Sequence, residues 1–487
     1  MLTKSGLGRR EQTGFFCMEE LVPSEHVLRA VEEAIDFDFI YEAVSGLYCE
    51  DNGRPGIDPV VLFKIVLIQY IFGLRSMRQT IREIEVNVAY RWFLGFSLYT
   101  PVPHFTTFGK NYQRRFADSD VFEQIFEKIL QAAEAEGFVD ATAAFAAFID
   151  GTHVKANANK KKCTHETVKK QARHYKKELE DEITRDREEH GKKPLKDDDD
   201  EPPTGTVTKS TTDPDCGLFH KGEHEKQLAY TAHVACDKHN FVLACEIAPG
   251  NVHDSVMFDT LYQETIAKFP QIAMVALDSG YKTPWIMKQI FDSGRLPATP
   301  YKRPMTKDGF FKKYEFVYDE YYDCVICPND EALKYSTTNR DGYREYKSDP
   351  SNCQGCPHRA RCTQSKACQK VVTRHVWQDY MDRPEHVRHS PQGKAIYTLR
   401  GQTIERVFAD DKDKHGMRYT QYRSKAKVRM ELLMTFAAMN LKKLATWKRR
   451  NALARLPYAF RRFLPLFLPR LPRSHFSCTQ KPQLALR

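Results

Sequence analysis

The sequence predicts an α/β fold with three parts: a helical amino-terminal region, a mixed sheet, and a cysteine-rich insertion set within the sheet-bearing part. Three observations predict it. Residues 20 to 140 carry helix caps and helical periodicity, residues 139 to 300 switch to short apolar runs, and a dense group of cysteines lies between 324 and 368.

In the helical region, Asp58 and Pro59 form a cap and first turn for a helix ending near Gly73. Ser76 with Gln79 reads as a capping box for a second helix, and Ser119 opens an amphipathic helix that stops at Gly137. Lys110, Arg114 and Arg115 cluster nearby. Two readings fit this cluster: a helix-turn-helix that grips DNA ends, or a helical bundle with a solvated basic face. The region is assigned to residues 1 to 138.

The apolar runs that follow are Ala144 to Asp150, Ala229 to Cys236, Phe241 to Ile247, Ala273 to Asp278 and Leu296 to Pro300. Helices are expected over Ser255 to Phe269 and Pro284 to Ser293. Three strands in hairpin-like succession, then alternating helix and strand, describe a mixed sheet of the ribonuclease H type. That topology sets the first strand in the middle and the fourth beside it. It would bring Asp150 and Asp278 together, although well over a hundred residues separate them.

Both acids stand in matching surroundings. FAAFIDGTHVKANANK ends an apolar run in Asp150, with Gly151, Thr152, Lys155 and Lys160 behind it, and reads as a buried strand turning sharply after the acid. AMVALDSGYKTP repeats the arrangement with Asp278, Gly280 and Lys282. A third acid, Glu405, lies in YTLRGQTIERVFADDK, on a helix expected from about Pro391 to Asp410. Carboxylates on two strands and a helix suit hard divalent cations, Mg²⁺ or Mn²⁺, which keep open positions for water and phosphate. A pair of such ions about 4 Å apart activates a nucleophile and stabilises the leaving oxygen of a phosphoryl displacement. The plainer alternative is that each aspartate caps a strand at a turn.

Composition sets bounds on this reading. A chain of 487 residues is expected to hold two or three domains, and a hydrophobic share of 41% is enough for real cores. Charged residues make up 28% and mean hydropathy is −0.57, as in a soluble protein. A net charge of +10 favours a polyanionic partner. No signal peptide is visible, and the most apolar segment, Val60 to Phe72, is too short to span a bilayer and contains Lys64 and Gln69. The expectation is a cytoplasmic protein without a membrane partner. Its 13 cysteines then read as thiols or metal ligands before disulfides.

Two insertions interrupt the sheet-bearing region, which is assigned to 139 to 302 and 391 to 447. Residues 160 to 208 run through KKELEDEITRDREEHGKK into DDDDEPP, blocks of charge expected to be solvated and flexible. Residues 303 to 390 hold Cys324-x2-Cys327 and Cys353-x2-Cys356, the paired spacing by which a chain wraps Zn²⁺. Cys362, Cys368 and His358 are spare ligands, and free thiols are the alternative. A helix follows from Lys425 to Trp447, then a basic, proline-rich tail from 448 to 487.

IDGT at 149 to 152, GNVHDS at 250 to 255, LDSGYK at 277 to 282, and Tyr397, Arg400, Glu405 and Lys412 together resemble the DDE transposases of bacterial insertion sequences and their Tyr-Arg-Glu-Lys signature. IDPVVLFKIVLIQYIFGLRSMRQT resembles the helical amino-terminal region of one large branch of them. The resemblance implies Asp150, Asp278 and Glu405 as catalytic metal ligands. It also implies that Tyr397, Arg400 and Lys412 line DNA near the cut, and Lys155 and Lys282 are expected to join them. GQTI puts four residues between Arg400 and Glu405, where the family usually has three. The implied activity is binding of the element's inverted ends, metal-dependent cleavage and joining of 3′ ends to target DNA, by a homodimer in the DNA complex, nucleoid-associated when bound. Rival readings are a DNA-binding protein without catalysis and a metal-dependent nuclease. His253 and Asp254 divide similarly: Asp254 or Ser255 is expected to cap the next helix, and His253 to contact DNA if it has a further role.

Overall fold

The computed structural model describes residues 16–49, 56–140, 145–169, 175–196, 204–221, 225–303 and 306–455. The DDDDEPP run and the tail beyond 455 lie outside the described residues.

The main sheet contains β1 (Ala146–Lys155), β4 (Gly217–Lys221), β5 (Glu225–Cys236), β6 (Val242–Pro249), β7 (Met274–Leu277) and β8 (Leu296–Ala298). β2 (Cys163–Lys169) and β3 (Thr204–Ser210) form a separate hairpin. β1 lies between β5, antiparallel to it, and β7, parallel to it; β6 is antiparallel to β5 and β8 parallel to β7. The spatial order β6-β5-β1-β7-β8 is the mixed sheet expected from the succession of apolar runs. Helices Asp254–Lys268 and Pro284–Asp292 lead into β7 and β8, as parallel connections require.

One expectation is corrected at the centre. The chain does not turn after Asp150; β1 continues to Lys155, and Asp150 pairs with Val234 of β5 in mid-strand. Gly151 serves close packing: a Cβ there would stand 3.2 Å from Asp254 Oδ1 and 3.3 Å from His233 Nδ1.

The amino-terminal region is helical as expected. Asp58 caps Pro59–Ile71, its Oδ1 accepting from the Val60 N–H at 2.7 Å, and Ser76 caps Met77–Val86 through the Gln79 N–H. Helix Val121–Ala135 ends before Gly137, which adopts φ +72°. The region shares one continuous apolar core with the sheet, reaching from Leu28 and Phe63 through Phe148 and Leu277 to Leu444. The link is the last helix among the described residues, Lys425–Arg455, which buries Leu432, Phe436, Leu441 and Leu444. Its Asn440 amide accepts from the N–H and donates to the carbonyl of Val242, closing the edge at β6. Glu431 is buried on this helix and accepts from the Thr420 hydroxyl.

Five further strands, β9 (Val317–Asp319), β10 (Cys324–Ile326), β11 (Ala332–Thr338), β12 (Tyr343–Lys347) and β13 (Val371–His375), make an antiparallel meander in the cysteine-rich insertion. The charged segment before it is not wholly free. Helix Lys176–Glu189 buries Leu179 and Ile183 beside Trp377, and its buried Asp186 pairs with Arg344 of β12. Its sequence shows a charged surface, but two apolar residues one turn apart suffice to dock it.

Candidate active site

The site is fixed first by register. The parallel pairing of β1 with β7 ends at Ile149 opposite Leu277, so the next residues, Asp150 and Asp278, emerge side by side. Arg400 holds them together. Its Nη2 donates to Asp150 Oδ2 at 2.5 Å, and its Nη1 lies 3.7 Å from Asp278 Oδ1. The guanidinium is 7% exposed, whereas Asp278 is half exposed.

Burial pushes the Asp150 carboxyl up to about 6, against the pull of Arg400 and the Gly151 N–H; the charges of Asp278 and Asp254 add to the rise. Burial likewise raises Asp254, with His253 opposing and Asp278 reinforcing. Asp254 is the acid that sequence reasoning assigned elsewhere. His253, not Asp254 or Ser255, caps helix Asp254–Lys268: its ring Nδ1 accepts from the Ser255 N–H at 3.2 Å. Freed from capping, Asp254 turns its carboxylate toward Gly151 and Gly280. The signal available in the sequence was the capacity of the preceding histidine to cap.

Glu405 comes from a different direction. The helix expected over Pro391 to Asp410 is broken into Pro391–Thr398, a tight turn Leu399–Gln402, and a second helix Ile404–Lys414. The turn absorbs the additional residue between Arg400 and Glu405, placing Arg400 inward and Glu405 on the first turn of the next helix. Glu405 is exposed and makes no ion pair among the described residues. The far end of its helix is tied to the same strand, Lys412 Nζ donating to Thr152 Oγ1 at 2.5 Å.

The remaining expected DNA-lining residues divide. Lys155 is exposed at the end of β1, and Tyr397 lies under the Arg400 guanidinium, 5.7 Å from ring centroid to Cζ. Lys282 is different: it is buried and donates to Glu385 at 2.5 Å, so its charge is already paired. The ammonium follows a turn directed back into the protein, toward helix Gln378–His389.

Among the described residues, no three His, Cys, Asp or Glu side chains are gathered tightly enough to hold a metal ion. Two adjoining carboxylates with a third acid beside them form a centre that demands positive charge, and Arg400 supplies it. The donor set is hard oxygen throughout, which fits Mg²⁺ or Mn²⁺.

In the cysteine-rich insertion, Cys327, Cys353, Cys356 and Cys362 line one small cavity, and Cys324 lies outside it. Side chains alternate along β10: Val325 enters the small core and Cys327 packs against it, while Cys324 points the other way. Of the expected quartet, Cys324 therefore stands apart from Cys327, Cys353 and Cys356.

Among the described residues no helix is long and apolar enough to cross a membrane. No curated protein matches the chain. Two family models do: a transposase domain over residues 16–114, and a transposase DDE domain over residues 326–445. The first covers the capped helices of the amino-terminal region. The second covers Tyr397, Arg400, Glu405 and Lys412 but not the two aspartates, which the sheet supplies. Both matches are to transposase domains, and together they support a DDE transposase of the insertion-sequence type.

Proposed function

We propose that this transposase binds the inverted-repeat ends of its element, cleaves them by metal-dependent hydrolysis and joins the freed 3′ ends to target DNA. The observation that carries the reading is the β1 to β7 register, which sets Asp150 and Asp278 next to each other where that pairing ends.

Asp150, Asp278 and Glu405 would hold the divalent cations. When bound, these ions supply an activated water and neutralise charge on the phosphate. The protein's own part is positioning: the sheet fixes two acids, and the break at Leu399–Gln402 gives the third its separate approach. Arg400 holds the two carboxylates close until cations and DNA arrive, when its guanidinium is free to turn to a phosphate. Tyr397, Lys412 and the exposed Lys155 are the side chains nearest to a strand laid across this edge. Lys110 and Arg114, exposed on the amino-terminal helices, are suited to the flanking duplex. Cutting two ends together calls for a homodimer on DNA.

The test is purified protein with Mg²⁺ and labelled element-end DNA. Nicking and strand joining are expected, with both lost in Asp150→Ala. Cleavage undiminished in that variant would reject the assignment. Cutting without joining would indicate a nuclease, and binding without cutting a DNA-binding protein.

A further inference from the structure

We propose that the cysteine-rich insertion carries one structural Zn²⁺ held by Cys327, Cys353, Cys356 and Cys362. Neither the cleavage chemistry nor either family match assigns such a site, and the proposal stands independently of the reading above.

Four sulfur-bearing side chains from three separate segments face one cavity of about 20 Å³. That is room for roughly one water-sized body, too small for an organic ligand. The backbone at Cys327 already favours a thiolate. Cys327-Pro328-Asn329-Asp330 forms a tight turn, with the Asp330 N–H donating to the Cys327 carbonyl at 2.9 Å and Asp330 at φ +55°. In this turn the Asn329 N–H points at Cys327 Sγ, 3.4 Å away. An amide dipole directed at sulfur stabilises negative charge there. Opposite, Cys353 and Cys356 bracket a turn at the end of helix Pro350–Gln354, and Cys362 closes helix Arg359–Cys362.

The need for a cross-link is equally visible. The insertion's own core consists of Phe311, Phe316, Val325, Leu333 and Tyr346, with Cys327 and Cys362 packed against it. So small a core is short of the burial that stabilises an independent unit, the situation in which natural folds add a metal or disulfides. Two short helices and a strand turn meet at the cavity, and four thiolates on one tetrahedral ion would bind them together. Among the described residues no three such side chains are already set to hold an ion, so binding would have to draw these four sulfurs inward to about 2.3 Å.

The full-length protein, purified without chelator, should contain one zinc per chain. Exchange with Co²⁺ should give thiolate-to-cobalt charge transfer and the d–d bands of a tetrahedral site. Alkylation mapped by mass spectrometry should find Cys327, Cys353, Cys356 and Cys362 protected until chelator is added, with Cys324 and Cys368 reacting from the start. C362S should lose metal to chelator at least about tenfold more readily, and C324S should match the unaltered protein. The proposal is overturned by an unaltered protein without zinc or a cobalt thiolate band, by disulfides among the four, or by Cys324 sharing the protection in place of Cys362. Alkylation and cobalt spectra use the unaltered chain, so misfolding of a variant leaves the outcome decided.

Discussion

Arg400 and Asp150 lie 250 residues apart in sequence and form the closest charged contact in the candidate active site, 2.5 Å between Nη2 and Oδ2. With Asp278 also in reach, one guanidinium balances two carboxylates. Arg400→Ala should therefore lower metal-free stability by about 2 kcal/mol, below the usual cost of breaking a fully buried pair because the aspartates are partly solvated. Added Mn²⁺ should raise the melting temperature of this variant more than that of the unaltered protein. An equal or smaller rise would mean that arginine and cation do not share a position.

Asp254 faces the same centre without belonging to the expected triad. Asp254→Asn should slow end cleavage roughly 10- to 100-fold, the range seen when groups supporting a metal ligand are removed. Affinity for element-end DNA, measured by fluorescence anisotropy, should change less than about twofold. A variant that cleaves normally would assign Asp254 a packing role beside Gly151.

The buried Lys282 leads to a prediction opposite to its expected role. Glu385→Ala strands the ammonium without a partner and should destabilise the protein by about 3 kcal/mol, read by urea denaturation. Lys282→Met should cost less, because both the charge and its need for a partner disappear. DNA affinity should be little altered in the folded Lys282→Met protein.

Glu431 offers a pH test away from the site. Burial pushes its carboxyl up to about 7, against the Thr420 hydroxyl and the Gln421 N–H that lower it. The folded state thus holds this proton more tightly than the unfolded chain. Its contribution is complete below the unfolded value of 4.5 and is lost as pH rises through about 7. The shift corresponds to a loss on the order of 3 kcal/mol. Melting temperature should fall across that window, and Glu431→Gln should flatten the fall. Asp411, buried nearby and also raised by burial, leaves a residual slope.

Much of this arrangement was legible in the sequence because strand and helix periodicities are local. The matched settings of Asp150 and Asp278 announced adjacent strands, although β1 runs on past Asp150 to Lys155, and Asp58 and Ser76 announced their helices. What escaped depends on events between elements. Asp254 was read as a cap because that position usually caps, but a histidine one residue earlier does so. Lys282 looked available because its partner, Glu385, is distant in sequence. That Cys324 stands apart depends on which way a three-residue strand presents its side chains, and spacing alone leaves that open.

Helix Lys425–Arg455 seals a core begun by residues near the start of the chain. That core therefore closes only after synthesis has passed through this helix. Chains stopped before Lys425 would leave that core open, exposing the apolar residues beneath the missing helix to aggregation and proteolysis.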